Sequence, residues 1–393
     1  MNQITIYGGG FSGITACLAL SSFVSKILFI EPFSLTEKKR NGRDDRTTAL
    51  SAGSVEFLKE YGIWPEIEQI AGVIQDIKIV DNDLYSGDSL LKLDFHSKDI
   101  SEKPMGYIVE NNLFREILIK KIKSLPNVEI LEGVKIDFLS QDNSSVTLKL
   151  SNNNEVQTKI LLAVDGKNSP IRQKLNIETT DKDYNQNAIT FCIKHQKPHR
   201  NTAVERFTPT GPFALLPLKE NDCSAVVWTI PRNLSEIYMN MNEERFKQEI
   251  YNRMQDYGEF EIIGEKNSYP LKLKFSKKYY SGRVVFAGDS AHSIHPIAGQ
   301  GFNQGVRDLI LLAKLFKERS RLGLDLFDEE TLNNYEKSRF ADNMQMILAT
   351  DKINSLFSNE SKVLRFARRV GISAVDKLPP LKKFFIKRAS GSS

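Results

Sequence analysis

The chain has 393 residues, enough to bury large cores and to divide into two or three domains. With 40% hydrophobic and 26% charged residues and a formal net charge of +5, it reads as an ordinary folded protein, with no nucleic-acid signature. No apolar run is long enough to span a bilayer. Cys17, Cys192 and Cys223 have no paired spacing, which argues against a disulfide framework or a zinc site and fits a reducing compartment. A strand begins at Gln3 with no basic leader before it, so no signal peptide is expected.

Ile4, Ile6 and Tyr7 lead as a strand into Gly8-Gly9-Gly10-Phe11-Ser12-Gly13, and Ile14 to Leu20 continue with helical spacing. This is GxGxxG on Gly8, Gly10 and Gly13 between a strand and a helix, the dinucleotide fingerprint. A second strand, Ile27 to Ile30, ends on Glu31, where an acid can accept from adenosine ribose hydroxyls. The fingerprint alone does not separate NAD from FAD.

Lys38 to Asp45 has the composition of a mobile loop. Arg46 to Ser51 is expected to open a helix that runs through Val55, Leu58 and Tyr61 to a C-cap at Gly62. Ile74 to Val80 and Leu90 to Phe95 read as strands. Tyr107 to Asn111 enters a helix with Phe114, Ile117, Leu118 and Ile122 on one face. Short strands at Val128 to Leu131, Val134 to Leu139 and Val146 to Leu150 precede Ile160 to Gly166, followed by Ser169 and Arg172.

Between Asn176 and Leu273 the pattern changes to alternating runs, at Ala188 to Ile193, Ala203 to Phe207, Phe213 to Leu218 and Ala225 to Ile230. Such runs predict an antiparallel sheet with one face packed and the other available for substrate. Gly211 to Leu218 is strongly apolar and suits sheet core, a lining for an apolar substrate, or both on opposite faces.

Val284 to Phe286 forms a buried strand that ends on Gly288 and Asp289. Pro296, Ala298, Gly299, Gln300 and Gly301 then make a Gly-rich loop feeding a helix through Val306, Leu309 and Ala313. Its N-terminus favours negative charge, such as that of a reduced flavin. Near the end, Ser361 to Ala389 is basic and amphipathic, with Lys362, Arg365, Arg368 and Arg369 beside Val363, Phe366 and Val370. That segment suits either an anionic lipid surface or a solvated face.

The string GD…H…P…GQG…N…D from Gly288 to Asp308 resembles the motif of FAD-dependent aromatic-ring hydroxylases of the para-hydroxybenzoate hydroxylase type. Asp165, Gly166, Ser169 and Arg172 are similar to their DG motif, with Val164 where Ala is more usual. DRTTALS before Gly62-Ile63-Trp64, and the Thr350 to Asn359 segment, resemble the ubiquinone-biosynthesis branch, the 2-polyprenyl-phenol hydroxylases. Val227 to Pro231 invites comparison with flavin halogenases, but Val226 stands where their first tryptophan would be.

The resemblance implies an α/β fold with a Rossmann-like FAD-binding domain interleaved with an antiparallel-sheet substrate domain, plus a helical C-terminal segment. Residues 1–75, 103–175 and 275–340 would form the FAD-binding parts, 76–102 and 176–274 the substrate parts, and 341–393 the basic tail. It implies FAD held by Gly8, Gly10, Ser12, Gly13, Glu31, Arg46, Asn111, Asp165, Asp289, Pro296, Gly299, Gln300, Gly301 and Asn303. Asp289 would bind the ribitol, and His295, Pro296 and Gly299 would lie at the reacting centre, with no metal. Asn111 is preferred over Arg115 as the cofactor contact on its helix, and His292 and His295 could bond flavin or substrate or merely fix the loop.

The implied reaction is hydroxylation of a polyprenylated phenol by O2 through a C4a-hydroperoxyflavin, with electrons from NAD(P)H or a ferredoxin-like partner. The expected setting is cytoplasmic, peripheral to the inner face of the membrane, in or near a quinone-biosynthesis complex. Two other readings share the FAD site: an isoprenoid reductase or cyclase, and a non-catalytic FAD-binding scaffold.

Overall fold

Strands Asn2–Tyr7, Ile27–Glu31, Glu155–Ala163 and Val284–Phe286 carry near-continuous apolar runs because helices or other elements cover both of their faces. The computed structural model describes residues 2–35, 46–82, 89–99, 103–208, 210–294 and 300–357. These four strands pair in parallel at the centre of an eight-stranded sheet, with Tyr7 level with Ala163 and Ile30, and Ala163 level with Phe286. The C-terminal ends of the first and last of these strands therefore lie level on either side of Ala163, although nearly 280 residues separate them in sequence. Helix Phe11–Ser21 packs on this sheet, and Gln300–Arg321 packs on that helix and on the turn Gly288–Ser290 that follows the last strand.

A second eight-stranded sheet is built on two 17-residue strands, Thr179–His195 and Phe260–Ser276, which pair antiparallel. Cys223–Pro231, Gly211–Pro217, Thr202–Thr208, Asp76–Asn82 and Ser89–His96 extend it in that order. Its back face carries large side chains, Phe191, Phe213, Leu215 and Trp228, packed under Phe246, Ile250 and Met254 of the helix Glu243–Met254. The front face is set with small ones, Ala188, Ala203, Ala214 and Ala225, which leave an opening toward the first sheet. The alternating runs predict this division, and both uses of Gly211 to Leu218 occur at once: Phe213 and Leu215 fill the core while Pro212, Ala214 and Leu216 line the opening.

Several expectations need correction. Thr47–Ser51 is a strand rather than the start of a helix, paired with Gly106–Glu110 in a three-stranded sheet. The helix is Ala52–Glu60, and the Ser51 hydroxyl accepts from Ser54 N at 3.3 Å as its N-cap. Two β-branched threonines and a capping serine explain the shift. Gly62, with φ of +67°, does close that helix. Ile74 to Val80 is broken at Gln75 into Gly72–Ile74 and Asp76–Asn82, which join different sheets. Phe260–Ser276 went unread because it is mostly polar, and its pairing with Thr179–His195, not its own pattern, makes it a strand.

Helix Glu329–Phe357 closes the described chain, and no described helix is long and apolar enough to cross a membrane. The expected loop from Lys38 to Asp45 and the basic segment from Ser361 to Ala389 lie outside the described residues.

His195 and His199 pin the turns at one end of the second sheet, and a backbone N–H donated to Nδ1 makes the His199 ring neutral. His195 Nδ1 donates to the Lys197 carbonyl at 2.7 Å and Nε2 accepts from the Ser224 hydroxyl at 2.9 Å. His199 Nε2 donates to the Glu220 carbonyl at 3.0 Å and Nδ1 accepts from Asn201 N at 3.0 Å. Burial pushes both pKa values below the ordinary 6.5, against the pull of the backbone carbonyls. The folded chain thus binds fewer protons here than the unfolded one. Stability from this pair should be complete above pH 6.5 and decline as the pH falls below it. Thermal unfolding midpoints between pH 7.5 and 5.5 check this: the wild type should lose more on acidification than the His195→Gln, His199→Gln double variant.

Candidate active site

At the first strand's tip, Gly8 takes a φ of +118°, and a Cβ there would lie 2.5 Å from the Val164 carbonyl oxygen. Gly13 sits so close beneath this turn that a Cβ would come within 1.7 Å of the Gly8 oxygen. Those two glycines let helix, turn and neighbouring strand approach one another. Gly10 is different, since a Cβ on it would meet nothing within 4 Å. It opens onto a cleft, and the helix that begins at Phe11 has no side chain bonded to its N-terminal N–H groups. An open glycine beside uncapped N–H groups is a cradle for a pyrophosphate.

Glu31 lines the same cleft, one carboxylate oxygen accepting from Gly9 N and the other from Phe33 N at 3.2 Å. Arg115, ranked below Asn111 from sequence, reaches back to the Gly9 carbonyl at 2.7 Å. Asn111 lines the cleft and accepts from the Thr48 hydroxyl at 2.7 Å. The two lie four apart on one helix, and that spacing was the available signal that both face the turn.

The other half of the site comes from the tips of Glu155–Ala163 and Val284–Phe286. Asp165 and Asp289 both line the cleft there. Burial raises the Asp165 pKa to about 6, and its Oδ1 has no protein partner while Oδ2 accepts from Ile171 N at 3.2 Å. Asp289 opens onto the cleft yet is crowded by protein, and that desolvation raises its pKa against the opposing charges of His292, Lys167 and Arg46. Buried Arg172 locks the two tips together, donating to the Ser290 carbonyl at 2.6 Å and the Lys167 carbonyl at 2.7 Å. Arg172→Met should weaken FAD binding about tenfold, the value of roughly one charge-assisted hydrogen bond, in a fluorescence titration of apoprotein. Unchanged affinity would show that the clamp is dispensable.

Further expected residues divide between cleft and scaffold. Arg46 lines the cleft with its guanidinium 4.9 Å from the Tyr269 ring centroid, and Ser12 and Gly301 line it too. Gln300 begins the helix Gln300–Arg321 and is buried. Asn303 is not on the cleft wall: its amide accepts from Ser51 N and Ser54 Oγ and donates to the Ala49 carbonyl, so it anchors the helix to the small sheet. His292 is buried with Nε2 on Asp308, which places it behind the Asp289 turn. His295, Pro296 and Gly299 lie outside the described residues.

Both halves open into one cleft of about 1220 Å³ that continues along the front face of the second sheet. There it is walled by Ala188, Ala214, Leu216 and Val227 on one side and Ile294 and Phe302 on the other. Glu205, missed from the sequence, is the carboxylate of this apolar part, on the strand Thr202–Thr208.

Residues 1–348 match the family described as FAD binding domain. The chain belongs to this FAD-binding family. It is 34% identical over 391 residues to the ubiquinone hydroxylase UbiL of Rhodospirillum rubrum, covering 99% of this chain and 90% of that protein. It is also 25% identical to the ubiquinone biosynthesis monooxygenase COQ6 of Dictyostelium discoideum, over 100% of this chain and 91% of the relative. Among solved structures, p-nitrophenol 4-monooxygenase PnpA of Pseudomonas putida superposes with a TM-score of 0.81 at 18% identity, covering 100% and 99% of the two chains. That likeness shows the fold. FAD is the cofactor of this family member, and the open Gly10, the uncapped helix and the unpartnered Asp165 Oδ1 fit it.

Proposed function

We propose that this protein is an FAD-dependent monooxygenase that hydroxylates the aromatic ring of a polyprenylated phenol in ubiquinone biosynthesis. The observation that carries the reading is the single cleft, with a dinucleotide cradle at one end and an apolar chamber floored by small side chains at the other. Similarity to hydroxylases of that pathway along nearly the whole chain supports it. Bound FAD, once reduced, supplies the activation of O2.

The protein's own residues bind, orient and exclude water. Gly8, Gly10, Ser12 and Gly13 shape the pyrophosphate turn, with Glu31 toward the adenosine end and Asp289 toward the ribitol. Arg46, Asn111, Asp165 and Gly301 complete the cofactor wall. Gln300 and Asn303 hold the helix behind it, and His295, Pro296 and Gly299 are assigned to the flavin loop from sequence. The apolar front face keeps water from the reacting centre and accepts a prenylated ring. The basic segment from Ser361 to Ala389 would hold the enzyme at an anionic membrane surface, where such substrates reside.

Cells lacking the gene should accumulate one under-hydroxylated polyprenyl phenol, which clears when this sequence is returned. Under ¹⁸O2 the restored product should carry one labelled oxygen. Product without label would instead support an isoprenoid reductase or cyclase, and untouched quinone levels would end the pathway assignment.

A further inference from the structure

Among the described residues of the second sheet that line the cleft, Glu205 is the one carboxylate. Its strand position fixes its surroundings. Glu205 is level with Ile79 on one side and Ala214 on the other, and beyond Ala214 come Val227 and Thr190. The next residue, Arg206, points to the opposite face and pairs with Asp256 at 2.7 Å, so it offers Glu205 no charge. Titratable or charged groups on facing elements, Arg46, Tyr269 and Lys272, share the cleft but make no ion pair or hydrogen bond with it. Desolvation with no compensating cation raises its pKa to about 7.

A carboxylate in an apolar wall with no partner works against folding, and a leucine or glutamine would fill the same space. The small side chains Ala203 and Ala214 beside it leave room over the carboxylate for a ligand. A ring placed there would meet Glu205 as the one carboxylate of the sheet. Resting on the reading of this chain as a phenol hydroxylase, we propose that Glu205 is a catalytic residue that accepts the hydrogen bond of the substrate's phenolic hydroxyl and takes its proton as the ring is oxygenated. The phenolic O–H bond breaks, an O–H bond forms on Glu205, and the electron pair stays on the phenolic oxygen to enrich the ring. When the oxygenated carbon gives up its hydrogen as a proton to water, leaving the C–H electron pair to the ring so that it becomes aromatic again, the carboxyl returns its proton to the phenolic oxygen. An acid held near neutrality can perform both transfers.

The test uses FAD-loaded wild type, Glu205→Gln and Glu205→Leu with a geranylated phenol and its methyl ether as probes. Binding is read from the oxidised flavin spectrum. Wild type should prefer the phenol over the ether by roughly 10- to 100-fold, the worth of a hydrogen bond to a charged group. E205L should lose that preference, whereas E205Q keeps an acceptor oxygen and should bind the phenol within about tenfold of wild type. In single turnovers with chemically reduced flavin and O2, E205Q should make roughly 100-fold less catechol and release peroxide instead. Catechol yield should rise through about pH 7 in wild type and stay flat in E205Q. Both variants should melt no lower than wild type at pH 8, since a partly desolvated carboxylate with no protein partner is gone.

Wild-type catechol yield in E205Q overturns the catalytic role and leaves the hydroxylase reading standing. Unfolding or flavin loss in both variants also overturns it, by showing a structural role. If wild type with the phenol reduces O2 only to peroxide and leaves the ring unchanged, the hydroxylase reading falls and the role of Glu205 falls with it.

Discussion

Asp289→Ala protein should purify nearly colourless. No described residue hydrogen-bonds the Asp289 carboxylate, which opens onto the cleft at the tip of Val284–Phe286. Its removal therefore takes nothing from the apoprotein, and the apoprotein's melting temperature should be unchanged or higher. A ribitol chain would lose about two charge-assisted hydrogen bonds, which predicts FAD binding weaker on the order of 100-fold. Asp289→Asn keeps one acceptor oxygen and should retain part of the affinity. Because desolvation raises this carboxyl, it is protonated at a higher pH than an ordinary aspartate. Flavin retention by wild type should accordingly fall in mild acid. Flavin-to-protein absorbance ratios after gel filtration decide the matter, and a stoichiometric Asp289→Ala flavoprotein would remove the residue from the site.

Arg339→Met should be the most destabilising of these changes. Asp308 is fully buried and accepts from Arg339 Nε at 2.6 Å, from His292 Nε2, and from Gly288 N at 2.8 Å. Burial alone would raise its pKa, but His292 and Arg339 hold it below the usual carboxylate range. The same guanidinium donates to Gln304 and Asn343, and Asn343 in turn donates to the Tyr279 hydroxyl at 3.0 Å. Removing the arginine takes the permanent cation from a buried carboxylate and leaves it only His292 and Gly288 N, which costs on the order of 3–5 kcal/mol. Since Gly288 hangs from that carboxylate, the Asp289 turn should loosen and FAD should be lost together with stability. An Arg339→Met, Asp308→Leu double variant relieves the stranded charge and should recover part of the melting temperature. Chemical denaturation of the three proteins checks the order, and a single variant as stable as wild type would refute the network's importance.

The Arg339 network joins parts of the chain that lie far apart in sequence, and such contacts are the hardest to read in advance, whereas Asp289 stands at a strand tip that the local pattern displays. The glycine turn from Gly8 to Gly13 was legible because its chemistry is local: strand, turn and helix follow within a dozen residues, and only glycine fits the close approaches found there. The strand to Phe286 and the helix from Gln300 were legible for the same reason. Thr47–Ser51 was misread because five residues with a helix after them look helical until their partner strand, Gly106–Glu110, is known.

Arg115, Arg172 and Arg339 each bond a group far away in sequence, at Gly9, Ser290 and Asp308 respectively. Long side chains reach whatever folding brings near them, so composition says nothing of their targets. Hydrophobic period and turn chemistry alone specify two sheets of different kinds, the fingerprint and the acid at its second strand tip. Which side of the second sheet faces the cleft depends on how the sheets pack, and that packing puts Glu205 in the chamber while Arg206 lies behind it. A period of two assigns neighbouring residues to opposite faces, but packing alone chooses the face that is left open.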